Sequence, residues 1–464
     1  MVEESLSEKI ARHNVALQCD QLPADVTAAA KLHILDSIGC LLAGTALEPG
    51  MLAYDLANAT SGSASTSTLF GSSRRVSYLD AVQAMSVAAH CGEMDDIHGG
   101  AGTCIGSMIV PSLLAMAEKY GGTGRRFLES AVAGYETVIR VGLSIDAPKL
   151  FARGWWPSTI CAAFGIAAAG AKFLNWSADQ TANTLGIASL HSGGMITGGS
   201  EGATARHLAF GHAAQSGALA LFAARKGFTG PKRAFEDTRG FCLTLCNEPR
   251  WDYLHNFGQY YLPEVAFKPY PCARQLHAGV EALLKVIQLQ ALTPELIDEI
   301  NLSLPTQNES MVNRPSITAS RAAAVGSGQY VMAVTVLRGK IDLVSFGAEF
   351  LNSGAVRNLM AKVKIIGSTE LDRHFPKYWS GRVTVRSGSE IHSEEVIIPK
   401  GEIGNPMGRD EVEQKFLLLA TATMGDEKAR SVVREVESLD AANSLEPLLG
   451  SLKACDDISF PERL

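Results

Sequence analysis

From residue 4 to residue 226 the chain offers one helical pattern after another and no convincing strand, which constrains its fold more than any other feature. Apolar residues recur with helical spacing through 4–17, Val26–Leu42, Glu48–Ala59, Tyr78–His90, Val110–Tyr120, Arg125–Ile145, Thr159–Leu174, Ala178–Leu190 and Ala205–Lys226. Asp25 stands where a helix cap is needed, Pro111 suits a first helical turn, and Gly44 ends a helix. Between these runs lie the loops Gly62–Ser73, Gly92–Gly102 and Ser192–Ala203, all rich in small residues. After residue 275 the pattern changes: Glu299–Leu304 and Lys362–Ile366 read as extended, and Arg382–Arg386 and Glu394–Pro399 flank a hairpin turn at Ser387–Ser389. Arg321–Leu337 reads as helix between them, and helix resumes from Arg409 through Val412–Thr423, Glu427–Val436 and Ala441–Ala454. A chain of 464 residues is also too long for one ordinary core. The expected fold is mainly α with a smaller α+β domain. Residues 1–274 form the first part of a large all-helical domain, 275–405 an inserted α+β lid, and 406–464 the helices that return to complete the helical domain.

The net charge of −7 disfavours nucleic acid as a partner. An anionic substrate would need cations concentrated locally against that background. The nine cysteines are odd in number and lack the spacing of a disulfide framework or zinc site; Cys242 and Cys246 lie one turn apart with no matching pair downstream. This points to reduced thiols in an intracellular, most simply cytoplasmic, protein, with organelle targeting left open. The N-terminus is charged and amphipathic and carries no apolar signal region. Ile160–Leu174, the most apolar run, is interrupted by Lys172 and too short to span a bilayer, so no membrane partner is expected.

Chemistry-bearing residues cluster in five places. Val265–His277 packs Lys268, Cys272, Arg274 and His277 around Pro269 and Pro271, which stiffen the backbone into an extended turn. It is an anion-holding element or a structural junction, and it sits where the helical pattern gives way to the mixed one. Glu93–Cys104 places Glu93, Asp95, Asp96, His98 and Cys104 among Gly92, Gly99, Gly100 and Gly102. It suits an acid/base cluster, a metal site or a capped, solvated loop. Trp155 and Trp156 precede Pro157 and suit a pocket wall or a gap between helices. Arg206 and His207 open a helix on which Arg206 can grip a carboxylate with both arms of its guanidinium. Asn313–Pro315 with Gln329–Tyr330 brings a phenol that can donate a proton or simply pack. No phosphate-binding glycine loop, Walker motif, G-x-S-x-G elbow or H-E-x-x-H motif is present.

Taken together, these stretches resemble the MmgE/PrpD family. The resemblance is carried by HILDSIGCLLAG (33–44), EMDDIHGGAGTCIGSMIVPSLLAMAE (93–118), GWWPSTICAAFGIAAAGAKFLN (154–175), HLAFGHAAQSG (207–217), FKPYPCARQLH (267–277), and NRP (313–315) with QY (329–330). It implies a helical domain, a smaller lid, a homodimer, no organic cofactor, and proton transfer beside a carboxylate in a cationic pocket; of the readings of Glu93–Cys104 the metal site is the one not adopted. Four positions depart from the family pattern: Cys104 and Trp156 stand where histidines are expected, Arg206 where a lysine is, and Ala273 where some decarboxylases carry a second histidine. The expectation is a cofactor-independent lyase, dehydratase or decarboxylase, on a small di- or tricarboxylate. The Trp155–Trp156 wall suggests an alkylated citrate or aconitate relative. Asp96, His98, Cys104, Lys268, His277 and Tyr330 are the catalytic candidates. Glu93, Asp95, Trp155, Trp156, Arg206, His207 and Arg274 are the substrate-binding candidates. An epimerase or double-bond isomerase and a non-catalytic binding homologue are the alternatives.

Overall fold

The structure, a computed structural model, describes residues 4–62, 65–197, 201–317 and 320–453. Parts of the Gly62–Ser73 and Ser192–Ala203 loops, Cys455 and the last residue of the expected Ala441–Ala454 helix lie outside them. The first part of the chain is helical: α1 Leu6–Ala16, α2 Ala24–Gly44, α3 Glu48–Thr60, α4 Tyr78–Cys91, α5 Gly106–Tyr120, α6 Gly124–Ser144, α7 Pro157–Phe173, α8 Ala178–Ser189 and α9 Ala205–Arg225. A two-residue antiparallel ribbon, Ser67–Thr68 with Arg75–Val76, interrupts this run. Helix α7 is buried along its whole length. Its Ala and Gly residues let neighbours approach closely: a Cβ on Gly165 would lie 2.2 Å from Val138.

The mixed part follows as α10 His277–Gln290, β1 Glu299–Pro305, α11 Gly328–Arg338, β2 Val363–Ser368, β3 Gly381–Ser387 and β4 Glu390–Val396. The strands form one sheet in the order β2-β1-β3-β4, with β1 and β2 parallel and the other pairs antiparallel. Alternation buries Ile300, Leu302 and Leu304 of β1 and Val383 and Val385 of β3, on which α10 packs. The chain then returns to helix as α12 Arg409–Met424, α13 Asp426–Glu437 and α14 Glu446–Leu452. Phe416, Val432 and Leu448 from these last helices share one apolar core with α1–α9, whereas residues from Cys272 to Val396 build a second. The protein is thus mainly α with a smaller α+β part, as the sequence pattern implies.

Local boundaries differ where tertiary contacts decide them. Helix α5 begins at Gly106, so Pro111 lies inside it rather than in its first turn. The cause is a distant cap: Asp96 Oδ1 accepts the backbone N–H groups of Ile105 (3.2 Å) and Gly106 (2.9 Å). The expected Arg321–Leu337 helix is split into Arg321–Ala324 and α11. At the break, Gly326 leaves room for the Arg314 guanidinium, whose Nη1 would lie 2.6 Å from a Cβ there. Among the described residues one helix, α2, is long and apolar enough to cross a membrane, but 72% of its apolar window is buried inside the fold. That is the behaviour of a core helix.

The C-terminal helices are tied to the rest by a buried charge. Lys415 of α12 lies 2.6 Å from Asp36 of α2 and donates to the Met94 carbonyl at 2.6 Å. Removing one member of a buried pair strands the other, so Lys415→Ala should cost about 3–5 kcal/mol in urea denaturation. Adding Asp36→Asn to that variant should recover part of the loss.

Candidate functional site

A backbone bridge sets the site. Ile97 and Ala266 exchange both their N–H···O=C bonds, at 2.9 and 2.8 Å, so the loop after α4 runs antiparallel to the segment before Pro269. On its other side that segment meets residue 401, where Phe267 N–H donates to the Gly401 carbonyl. A Cβ at Gly401 would lie 2.1 Å from Phe267 O, and its φ of +93° is one that glycine adopts freely. Lys268 is thereby carried into the protein beside the loop's acids.

There Lys268 Nζ lies 3.3 Å from Asp95 Oδ1, 3.7 Å from Glu93 Oε2 and 3.7 Å from Cys104 Sγ. Asp95 also faces His90 Nδ1 at 2.9 Å and accepts from Ser107 Oγ at 2.7 Å. Glu93, held at a left-handed φ of 54°, pairs with Arg206 at 2.5 Å. The Arg206 guanidinium lies 5.2 Å from the Trp156 ring, a cation–π distance. His90 stacks on Phe210, the ring centroids 3.5 Å apart.

These contacts fix the protonation states. Burial opposes the charge on Asp95, but His90 and Lys268 outweigh it and hold the carboxyl at about 2. Burial likewise opposes the charge on Glu93, and Arg206 and His90 more than offset it, leaving the group well below the usual carboxylate range. Burial would lower the Lys268 ammonium, but Asp95, the Cys104 sulfur and Glu93 raise it instead. Burial, reinforced by Asp95, pushes the Cys104 thiol well above its ordinary value. Lys268 is therefore an ammonium and Cys104 a neutral thiol.

Both face a cavity of about 490 Å³ that lies between the helical and mixed parts. Glu93, Cys104, Trp156, Arg206, Lys268 and Arg274 all line it, and so do His90 and Arg314. Arg274 is anchored by Glu402 at 2.6 Å and by His277 Nδ1 at 3.0 Å. The Arg314 guanidinium has no ion-pair or hydrogen-bond partner among the described residues; burial, with Arg206 nearby, lowers its affinity for the proton. A larger cavity, about 590 Å³, lies between α2 and the C-terminal helices. Its cations are spent on neighbouring carboxylates, as in Lys31–Asp440 at 2.7 Å and Arg409–Glu437 at 2.5 Å. The smaller cavity is the one with uncommitted chemistry.

Other expected residues sit behind this wall. Asp96 accepts from Tyr135 Oη (2.7 Å) and faces His33 Nδ1 (2.9 Å) besides capping α5, so its carboxylate is committed to structure. His98 accepts the Ala101 N–H through Nδ1 and is turned toward Glu264. His277 accepts from Arg274 and donates Nε2–H to the Cys272 carbonyl; burial and Arg274 keep its imidazole neutral. Tyr330 donates to the Ser345 carbonyl inside the second core. Asp95 and His207 lie one step behind the lining, the latter with its ring 5.4 Å from His90 and neutral through burial and the neighbouring Arg206. Trp155 is half-buried against the helical core, outside the cavity wall. His90, Arg314 and Glu402 were not expected: His90 ends a helix with nothing local to mark it, and Glu402 is 128 residues from its arginine.

Two donor sets, His90–Glu93–His207 and His90–Asp95–Cys104, have ligand atoms within 4.8 Å of one another, as a metal ion needs. Arg206 and Lys268 already occupy the same carboxylates and would compete with any cation.

Profiles of the MmgE/PrpD N-terminal and C-terminal domains match residues 8–254 and 270–441. The chain belongs to the MmgE/PrpD family. Among its relatives, the cis-aconitate decarboxylase-like protein oryM of Aspergillus oryzae is 26% identical, the match covering 96% of this chain and 97% of that one. The cis-aconitate decarboxylases of Aspergillus terreus and Homo sapiens are each 27% identical, covering 93% and 98% of this chain and 93% and 95% of theirs. These matches place the chain among lyases of the MmgE/PrpD type; they lend no support to an epimerase or to a non-catalytic homologue.

The depressed Asp95 carboxyl carries a pH signature. Its folded value of about 2 lies below an unfolded value of about 3.9, so its contribution is complete above roughly pH 4 and is lost as pH falls toward 2. Asp95→Asn should remove about 2 kcal/mol at neutral pH and flatten the acid limb of stability against pH, measured by denaturation from pH 2 to 7.

Proposed function

We propose that this MmgE/PrpD protein decarboxylates an unsaturated, aconitate-like di- or tricarboxylate. The observation that carries the reading is the Lys268 ammonium and the neutral Cys104 thiol, 3.7 Å apart and facing a cavity lined by Arg206, Arg274 and Arg314. Arg314 has a guanidinium free to grip a substrate carboxylate, and Arg274 stands ready in a fixed orientation. As the bond to one carboxylate carbon breaks, carbon dioxide leaves. Its electron pair moves into the neighbouring carbon–carbon bond, and the double-bond electrons move toward the far carbon and its carboxylate. That carbon takes a proton. Cys104 is placed to donate it and Lys268 to stabilise the resulting thiolate, to be followed by reprotonation from water. The arginines stabilise charge that develops on the remaining carboxylate. In this reading Asp96, His98, His277 and Tyr330 position other groups rather than touch substrate.

The same reading places the protein in a reducing intracellular setting, supported by the eight free cysteines among the described residues. It routes no step through a cofactor. The names of the relatives support decarboxylation over dehydration.

Carbon dioxide release from cis-aconitate and its substituted relatives is the direct test. Lys268→Ala and Cys104→Ala should each lower kcat by about 10²–10⁴, the usual worth of a positioned proton donor. Arg314→Ala should raise KM by roughly ten- to a hundredfold, as loss of a charged hydrogen bond does. A folded Cys104→Ala protein with undiminished kcat would remove the thiol from the mechanism.

A further inference from the structure

Each turnover of the proposed reaction takes up one proton, because carbon dioxide leaves from a carboxylate while the far carbon gains hydrogen. A Cys104 thiol that gives this proton has to be reloaded, and it is buried. Most of its neighbours cannot do so. Asp95, held at about 2, and Glu93, well below the usual carboxylate range, carry no proton near neutral pH. The Lys268 ammonium keeps its proton because Asp95, the Cys104 sulfur and Glu93 all favour the charged form. Ser158 Oγ accepts the Cys104 backbone N–H at 3.0 Å, and a hydroxyl is a far weaker acid than a thiol. His90 differs, since an imidazole exchanges protons near neutral pH. One of its ring nitrogens, an Asp95 oxygen and Cys104 Sγ lie within 4.8 Å of one another, a span that one water bridges. Asp95 is a carboxylate, so His90 Nδ1–H donates to it at 2.9 Å. Nε2 is left buried without a hydrogen-bond partner, 3.9 Å from Glu93 Oε1. The ring is clamped by Phe210, stacked at 3.5 Å, and by the edge-on Trp156 at 5.9 Å, and it lines the cavity.

We propose that His90, oriented by Asp95, is a proton relay that returns a proton to Cys104 after each turnover. The step that empties the thiol rests on the lyase reading; the relay rests on the Asp95–His90–Cys104 geometry. As the S–H bond breaks, its proton passes to the substrate carbon and the electron pair stays on sulfur. The sulfur then takes a proton from the His90 imidazolium, directly or through a bridging water. The neutral imidazole takes its next proton from water in the cavity. The charged and titratable groups facing His90 are Asp95 and Glu93 from the loop, His207 and Arg206 from α9, and Lys268 from the segment before Pro269. His207 does not share the role, because burial and Arg206 keep it neutral. Run in reverse, the relay removes the Cys104 proton as an electrophile meets the sulfur.

That reverse step gives a test that needs no turnover. Iodoacetamide alkylates a cysteine by forming an S–C bond as iodide leaves and the thiol proton is lost, and peptide masses separate Cys104 from the other cysteines. Followed in the full chain from about pH 5 to 9, the wild-type rate at Cys104 should rise along the near-neutral limb of an imidazole. His90→Gln, which keeps an amide donor for Asp95, should lose that limb and react about 10²-fold more slowly at neutral pH. Free imidazole should restore part of the rate to His90→Ala. On cis-aconitate, His90→Gln should release its first carbon dioxide per site at the wild-type rate and then slow about 10²-fold. A wild-type profile with no near-neutral limb, or a limb that His90→Gln retains, overturns the relay whether or not carbon dioxide is released. Repeated turnover by His90→Gln at the wild-type rate also overturns it. Loss of the limb in His90→Gln, with no carbon dioxide from the wild type, upholds the relay and overturns the lyase reading instead.

Discussion

A fully buried ammonium, Lys268, is the charge around which the rest of the site is arranged. Moving such a group out of water costs several kcal/mol unless counter-charges come with it, and Asp95 and Glu93 supply them. Those carboxylates are buried in turn, so they need cations and donors of their own: His90 and Ser107 for Asp95, Arg206 for Glu93. The result is an alternating row, Arg206–Glu93–Lys268–Asp95–His90. Arg274 is balanced by Glu402, and the Arg314 guanidinium has no ion-pair partner of its own among the described residues, only the more distant Glu93 that Arg206 already holds. The cavity wall therefore carries surplus positive charge although the protein as a whole is at −7. An anionic ligand completes that balance, which is why the site suits carboxylates.

The row depends on backbone placement far more than on local sequence. The loop holding Glu93 and Asp95 and the segment holding Lys268 lie 173 residues apart at the Asp95 contact, and the short bridge between Ile97 and Ala266 brings them together. Asp96 holds one end of that loop by capping α5 from ten residues away, and Gly106 permits the close approach: a Cβ there would lie 2.0 Å from Ser37 Oγ and 2.4 Å from Tyr135 Oη. The Asp36–Lys415 pair beneath ties the same region to the returning C-terminal helix.

This explains which parts were legible in the sequence. Helix and strand identities were, because apolar spacing records which face each element buries. The break at Gly326 and the early start of α5 were not, since a distant guanidinium and a distant carboxylate decide them. In the site, residue type and clustering pointed to Lys268, Arg206, Arg274 and Cys104, all of which line the cavity. The same cues grouped them with Asp96, His98, His277 and Tyr330, whose hydrogen-bonding groups the fold directs to other protein atoms. Sequence adjacency cannot separate Asp95 from Asp96: one carboxylate faces an ammonium and the other a helix N-terminus. His90 carried no local signal, and Arg314, although inside the Asn313–Pro315 stretch, was not separated from its neighbours, because the importance of both lies in partners found or missing across the cavity.

The departures from the family pattern are coupled to one another. Arg206 stands where a lysine is expected and Trp156 where a histidine is, and the structure sets the guanidinium 5.2 Å from the indole. A planar, weakly hydrated guanidinium stacks on an aromatic face in a way that a compact ammonium does not match. In this chain the two positions form one stacked pair, with Glu93 as the counter-ion of Arg206. The third departure follows the same logic. A histidine at position 104 would bring a titrating imidazole beside Lys268, whereas the Cys104 thiol stays neutral there and keeps its proton. The wall that results is more apolar yet still holds a protonated thiol beside a fixed cation.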